Sequence, residues 1–224
     1  HLYINIYSSK QVNDVVKLSN GLRARVTEVT SEKVRIDANS ELAGKTIGIE
    51  MKCIEKKPSS SLKQATFAAG CFWGVELEFQ RVAGVAFTSV GYNQGAVEGA
   101  TYEQVCGGRT GHTEAVTLLY DEDVVTFEAL AKTFFARHDP TQKDRQGNDV
   151  GTQYRGGIYY HSPEQMMEAQ ACIAEAQKKY NKPLATELLP AATFWMAEEY
   201  HQQYLEKGGQ SAKKEATETI RCYG

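Results

Sequence analysis

The passage from a short apolar run to an amphipathic stretch, across Gly70-Cys71-Phe72-Trp73-Gly74, constrains this chain more than any other feature. Gln64-Ala65-Thr66-Phe67-Ala68-Ala69 is a run of small and apolar residues that reads as a buried strand, and Gly70 marks a turn. From Phe72 to Val82 the apolar residues Phe72, Val75, Phe79 and Val82 recur at helical spacing. A strand, turn and helix in that order require a sheet to take the strand, and they leave Cys71 where the helix begins. Backbone N–H groups without intrahelical partners, and the positive end of the helix dipole, favour a thiolate there. The pattern alone leaves a second reading open, a cysteine packed inertly between aromatic neighbours.

The 224 residues suffice for one good core or two smaller domains. A formal net charge of −3 gives no electrostatic reason to expect nucleic acid or an anionic membrane as partner. The apolar runs are too short to span a bilayer, and no charged-then-apolar signal segment opens the chain; with His1 in first place, a removed targeting segment stays open. Five cysteines, Cys53, Cys71, Cys106, Cys172 and Cys222, are an odd number with no CxxC pair, which argues against a disulfide framework or a zinc site. They suit an intracellular reducing compartment, the cytoplasm or an organelle.

Two regions differ in character. From Leu22 to Ile54 the text is short strands, with Ala24 and Val26, a turn near Thr30–Lys33, Val34 and Ile36, a polar break at Asn39-Ser40, and Ile47, Ile49, Met51 and Cys53 in alternation. Glu55 to Ser61 reads as a linker. Beyond it strands (Val85–Val90, Thr113–Tyr120) mix with helices: Thr126–His138, one capped by Ser162 that runs to Tyr180 with Met166, Ala169, Ile173, Ala176 and Tyr180 on one face, and one at Ala197–Glu206. The methionines and Cys172 read as structural. A polar tail follows Gly208-Gly209.

Three further features carry chemistry. In the strand Thr113–Tyr120, Glu114 shares a face with Val116, Leu118 and Tyr120. A carboxyl buried there holds its proton toward neutral pH and can act as a general acid; a solvent-facing residue at the strand's mouth is the alternative. Loops at Gly107-Gly108, Gly111 and Gly147–Gly151 lack the context of a phosphate loop and read as pocket walls, flanked by Tyr102 and Tyr154 as phenolic donors. Cys222, near the end of a glycine-preceded charged segment, reads as an exposed, mobile thiol able to reach another sulfur.

The blocks GCFWGVE (Gly70–Glu76), TYEQVC (Thr101–Cys106), TGHTEAV (Thr110–Val116), HDPTQKDRQGNDVGTQYR (His138–Arg155), EEYHQQYL (Glu198–Leu205) and IRCYG (Ile220–Gly224) together resemble the A-type peptide methionine sulfoxide reductases, the ending being like the plant and algal branch. The resemblance covers Gln64 to Gly224. It implies an α+β fold, a two-layer plait with a central mixed or antiparallel sheet flanked by helices, here preceded by a small β segment. It implies Cys71 as nucleophile on the sulfoxide sulfur, Phe72 and Trp73 as the wall for the substrate methyl group, and selectivity for the S epimer. Glu114 would protonate the oxygen, Tyr102 and Tyr154 would hydrogen-bond it, and Asp149 would order the site. Cys222 would resolve the Cys71 sulfenic acid as a disulfide, with thioredoxin or a similar dithiol as reductant and oxidised proteins or free methionine sulfoxide as substrates. No metal or bound organic cofactor is implied. Cys106 matches a family position and is read as structural.

Separately, Gly21–Val26 and Asp37–Thr46 resemble the C-terminal half of an FKBP-type prolyl isomerase of the bacterial SlyD kind, the first half of that fold having no counterpart. The expected organisation is therefore 1–54 as partial FKBP-type β segment, 55–63 as linker, 64–206 as catalytic domain and 207–224 as tail, working as a monomer without nucleic acid or membrane. The rival is a peroxide-reducing thiol enzyme. A cysteine hydrolase with His112 as base is weaker, because nothing orients that ring toward Cys71; a client-recruiting binding module is weaker still, given the co-occurrence of Cys71, Glu114 and Cys222.

Overall fold

The structure is a computed structural model that describes residues 15–17, 23–29, 34–37 and 62–222. The chain forms two compact units, residues 1–58 and 59–224. In the first, β1 (Val15–Lys17), β2 (Arg23–Val29) and β3 (Val34–Asp37) pair antiparallel in that order, with Val26 opposite Ile36 and an irregularity between Val26 and Glu28. Val26 is buried. The strands expected around Ala24 and Ile36 are present, and β1 is one that the sequence reading lacked. The expected strand at 47–53 with Cys53, and the linker at 55–61, lie outside the described residues.

The second unit comprises β4 (Leu62–Ala69), α1 (Phe72–Gln80), β5 (Val85–Asn93), α2 (Tyr102–Cys106), β6 (Thr113–Asp121), α3 (Phe127–Arg137), the small hairpin β7 (Arg145–Gln146) and β8 (Asp149–Val150), β9 (Gly156–Tyr160), α4 (Pro163–Gln177), β10 (Glu187–Pro190), β11 (Trp195–Met196) and α5 (Tyr204–Lys207). Six strands form one mixed sheet in the order β10-β9-β4-β6-β5-β11, antiparallel except for the β9–β10 pair. This is the expected α+β plait with a central mixed sheet.

Period-two alternation sorts the two faces. Ala65, Phe67 and Ala69 of β4, Val116, Leu118 and Tyr120 of β6, and Val90 and Tyr92 of β5 form the main core with Phe72, Val75 and Phe79 of α1, Leu130 and Phe134 of α3, and Ala169 of α4. Ala68, Ala115 and Tyr159 point to the other face, covered by Ala191 and Phe194. Phe67 is the hub, its ring stacked at 4.9 to 5.7 Å on Phe79, Phe127 and Phe134.

Several local expectations are corrected by polar contacts. Thr101–Cys106, to which the sequence reading assigned no helix, is helical because Thr101 and Gln104 make a reciprocal capping box. Ser162 caps α4 as expected, but Gln165 accepts from His161 N–H and donates to Gln64 O, tying the helix to β4 instead of closing a capping box. The helix ends at Gln177, Cys172 lies on its buried stripe, and Met167 is exposed. The helix expected at Ala197–Glu206 is split into a 3-10 turn at Glu199–His201 and the short α5, with Gln203 left-handed at φ 51°. The amide of Gln202 bonds both N–H and C=O of Val90, and the Glu76 carboxylate accepts the Gln203 backbone N–H at 2.8 Å and its side-chain amide at 2.9 Å. Those side-chain bonds replace the helical ladder.

Truncating Phe67→Ala is expected to destabilise the second unit by about 3–5 kcal/mol, from lost burial and the cavity left behind. Urea unfolding checks this; a loss under about 1 kcal/mol contradicts the role given to Phe67 as hub.

Candidate active site

Gly70 has φ of 86°, a left-handed conformation, and a Cβ there would lie 2.7 Å from the Gln146 side chain. Only glycine lets β4 turn this tightly into α1 beneath β7. Cys71 is the N-cap residue of α1. The next residue, Phe72, has an orphan helix-start N–H that donates to Glu114 Oε2 at 3.0 Å. Glu114 is fully buried on the helix-covered face of β6, as the alternation with Val116, Leu118 and Tyr120 predicts, so the solvent-facing alternative falls. Burial pushes its carboxyl up to about 8; the Phe72 N–H opposes the shift and nearby Asp149 adds to it.

The thiol of Cys71 hydrogen-bonds Cys222, and no disulfide joins them. That bond, burial and the Glu114 charge raise the Cys71 thiol, and the Trp73 N–H only partly offsets them. In this reduced arrangement these contacts oppose the thiolate that the helix start favours at Cys71. Cys222 is instead lowered to about 6, by the Cys71 hydrogen bond first and then by the Arg137 guanidinium, against burial and Asp149. Cys222 is exposed, as expected, and the tail that carries it is tied to the domain by hydrogen bonds. Arg81 donates to Ser211 O and Glu218 O, Lys214 Nζ to Gln80 O and Val85 O, and Gln210 exchanges two bonds with Arg221.

Tyr102 and Tyr154 stand in the same cluster. Burial raises both phenols, Glu114 adds to each shift, and Cys71 acts on Tyr154, so both remain donors across the neutral range. Tyr102 Oη donates to Cys106, a half-buried thiol beside the site. Asp149, on β8, acts through space on Glu114, Tyr154 and Cys222. Phe72 is 1% exposed, within the core, whereas Trp73 is half-buried and its ring stacks on Tyr204 at 4.0 Å. His112 Nδ1 accepts from Gly95 N–H and its Nε2 bonds Val97 O, which leaves no lone pair for use as a base on Cys71.

Sequence reasoning gave no role to Arg137, Glu198, His201 or Tyr204. Trp73 Nε1 donates to His201 Nδ1 at 3.0 Å, so His201 carries its proton on Nε2, a buried nitrogen without a hydrogen-bond partner among the described residues. The Tyr102 and Tyr200 rings pack at 4.4 and 4.1 Å on that imidazole, and burial keeps it neutral. Glu198 accepts from Tyr102 N–H and Tyr92 Oη. Three of the four lay inside the EEYHQQYL block, whose density of polar and aromatic residues was the available signal. A groove of about 1460 Å³ between α3 and α4 is lined by residues such as Phe135, Cys172 and Tyr180 and holds none of the groups above. Among the described residues no cluster of His, Cys, Asp and Glu is arranged to hold a metal, and no helix is long and apolar enough to cross a membrane.

The arrangement can present a thiol, a neutral carboxylic acid and phenolic donors to one polar oxygen, with a second thiol in reach of the first. Comparison with known proteins agrees with that chemistry. Residues 63–221 match the family model described as peptide methionine sulfoxide reductase. The chain is 52% identical over 188 residues to peptide methionine sulfoxide reductase A2-1 of Oryza sativa subsp. japonica, covering 84% of this chain and 99% of that one. It is 54% identical over 175 residues to the chloroplastic A4 reductase of the same plant, covering 76% of this chain and 66% of the relative. Among solved structures it resembles reduced Mxr1 of Saccharomyces cerevisiae, with TM-score 0.65 and 37% identity, covering 71% of this chain and 92% of that one.

The Glu114 proton links the site to stability. A carboxyl that ionises near 4.5 when unfolded and about 8 when folded keeps more protons in the folded state between those values, so its contribution is lost as pH rises through that window. Glu114→Gln is therefore expected to match wild type near pH 4 and to exceed it by a few kcal/mol near pH 8, roughly 1.4 kcal/mol for each pH unit crossed. Urea midpoints at the two pH values check this; an equal difference at both contradicts it.

Proposed function

Since the chain belongs to the peptide methionine sulfoxide reductase family, we propose that it reduces the S epimer of methionine sulfoxide, free or in oxidised proteins, with Cys71 as nucleophile. The observation that carries the reading is the neutral, buried Glu114 bonded to the first N–H of the helix that Cys71 opens. Cys71 sulfur attacks the sulfoxide sulfur. Glu114 gives its proton to the oxygen, with Tyr154, and Tyr102 once its O–H turns from Cys106, as hydrogen-bond donors to that oxygen and Asp149 helping to keep the acid protonated. The proton balance closes when the Glu114 carboxylate takes up the Cys71 thiol proton. The protonated oxygen then passes to Cys71 sulfur: the substrate S–O bond and the transient sulfur–sulfur bond break, a Cys71 S–O bond forms, and methionine leaves with Cys71 oxidised to sulfenic acid, the first and reversible rung of thiol oxidation. Phe72 and Trp73 form the apolar side of the pocket: Phe72 backs it from the core, and Trp73 is oriented by His201 and Tyr204.

Cys222 then condenses with the sulfenic acid, and a dithiol protein of the thioredoxin kind reduces the disulfide. One chain supplies both thiols, so a monomer completes the cycle. A reaction that regenerates free thiols suits a reducing compartment, the cytoplasm or an organelle such as that named for the chloroplastic rice relative. The N-terminal β unit, in this reading an FKBP-like segment, presents unfolded oxidised chains. Removing residues 1–58 is expected to leave turnover of free methionine sulfoxide unchanged and to slow turnover of unfolded oxidised protein; equal effects on both would remove that role.

Single-turnover reduction of the two epimers of a blocked methionine sulfoxide tests the reading. Cys222→Ser is expected to yield about one methionine per chain from the S epimer alone, and wild type to lose both thiols. The methionine-forming rate should fall as pH rises through about 8, where Glu114 loses its proton, and by about 10²–10⁴-fold in Glu114→Gln. If neither epimer is reduced while Cys71 still reacts with peroxide, the chain is a peroxide-reducing thiol enzyme instead.

A further inference from the structure

Gly74 sits inside the first turn of α1, although glycine forms helix less readily than alanine. Its φ is not positive, so backbone freedom does not explain it. The space does. A Cβ on Gly74 would collide with Arg137 Nη2 and with Cys222 Sγ. The missing side chain opens a notch on the helix that two distant segments fill: Arg137, the last residue of α3, and Cys222 from the strapped tail. Arg137 Nε points to Gly74 O at 3.4 Å, and Nη2 to Cys222 Sγ at 3.6 Å. The same sulfur accepts the Cys71 thiol hydrogen. One cation and two sulfurs thus meet over a single helical turn.

We propose that Arg137 is a catalytic group of the second half-reaction, holding Cys222 as a thiolate against Cys71 and so setting the rate at which the Cys71 sulfenic acid becomes a disulfide. The inference rests on the reading that Cys222 resolves Cys71. In the step, the Cys222 thiolate attacks Cys71 sulfur, the S–S bond forms and the Cys71 S–O bond breaks. The oxygen leaves as hydroxide and takes up a proton to become water. The Cys222 sulfur is oxidised and the Cys71 sulfur reduced, so the electrons balance without an outside reagent.

The groups facing Cys222 are Cys71, Arg137 and Asp149, with Glu114 behind Cys71. In the reduced protein the Cys71 thiol is the larger stabiliser of the Cys222 thiolate. That donor is consumed when Cys71 is oxidised. Arg137 is the favourable contact that persists into the step, and Asp149 opposes it. Arg137 therefore favours the Cys222 thiolate at the moment it is needed.

The test uses the full chain with Arg137→Gln and Arg137→Lys. The S sulfoxide is mixed with each protein, and acid-quenched samples report methionine formed and the Cys71–Cys222 disulfide by mass, between pH 6 and 9.5. Both variants should form methionine at the wild-type rate, which also shows that they are folded. Wild-type disulfide formation should rise with pH and level off at a midpoint above the one that Cys222 has in the reduced protein, where the Cys71 thiol also lowers it. In Arg137→Gln that midpoint should rise by a unit or more. At pH 7 its rate should fall about three- to ten-fold, because a scarcer thiolate is partly offset by its greater nucleophilicity. The deficit should close near pH 9, and Arg137→Lys should recover part of the rate at pH 7. A wild-type rate in Arg137→Gln at pH 7, or a loss of equal size at every pH, overturns the proposal. Wild type that forms methionine but no disulfide removes instead the reading on which it rests.

Discussion

The hydrogen bond from Phe72 N–H to Glu114 Oε2 joins the start of α1 to the middle of the sheet, and the rest of the site is arranged around it. It satisfies a helix-start donor that would otherwise be buried unpaired. It also binds one oxygen of a carboxyl that burial keeps protonated to about pH 8. A fully buried acid is tolerated here because it is neutral and bonded. The same contact keeps that acid beside Cys71, the preceding residue. Fold and chemistry share one bond.

Around this centre, long-range contacts bring in what the motif itself lacks. Trp73 is fixed by His201 and Tyr204, residues about 130 positions away. The Glu76 carboxylate holds the backbone of Gln203 and so places the segment that carries them. Arg81 and Lys214 fold the tail over the C-terminal end of α1, which delivers Cys222 to the N-terminal end. A short helix, covered at both ends by the tail, thereby carries the two sulfurs together. Preplacing the second thiol lowers the entropy lost when the disulfide closes.

How much of this was legible depends on the range of the interactions. The β4 strand, the Gly70 turn and α1 are visible in the sequence because a run of small and apolar residues gives way at Gly70 to apolar residues at helical spacing. Glu114 faces inward because alternation along β6 puts it with Val116, Leu118 and Tyr120. Where side-chain amides take over backbone hydrogen bonds, as at Gln202 and Gln203, helical spacing misleads, and a predicted helix breaks in two. The short edge strands β10 and β11 are held by pairing with β9 and β5 and carry little pattern of their own. Arg137 was invisible for the same reason, since its role comes from Gly74 and Cys222, 63 and 85 positions away. The reversed charge preference of Cys71 and Cys222 also comes from their contact, which no local rule contains.

The central claim is that Glu114 is a protonated acid in the folded protein at neutral pH. Infrared difference spectroscopy during a pH titration tests it directly, with the Glu114 band assigned by its loss in Glu114→Gln. The account predicts a protonated carboxyl stretch that persists at pH 7 and disappears with a midpoint near 8. A Glu114 band already converted to carboxylate by about pH 5, where an ordinary exposed glutamate ionises, would contradict it.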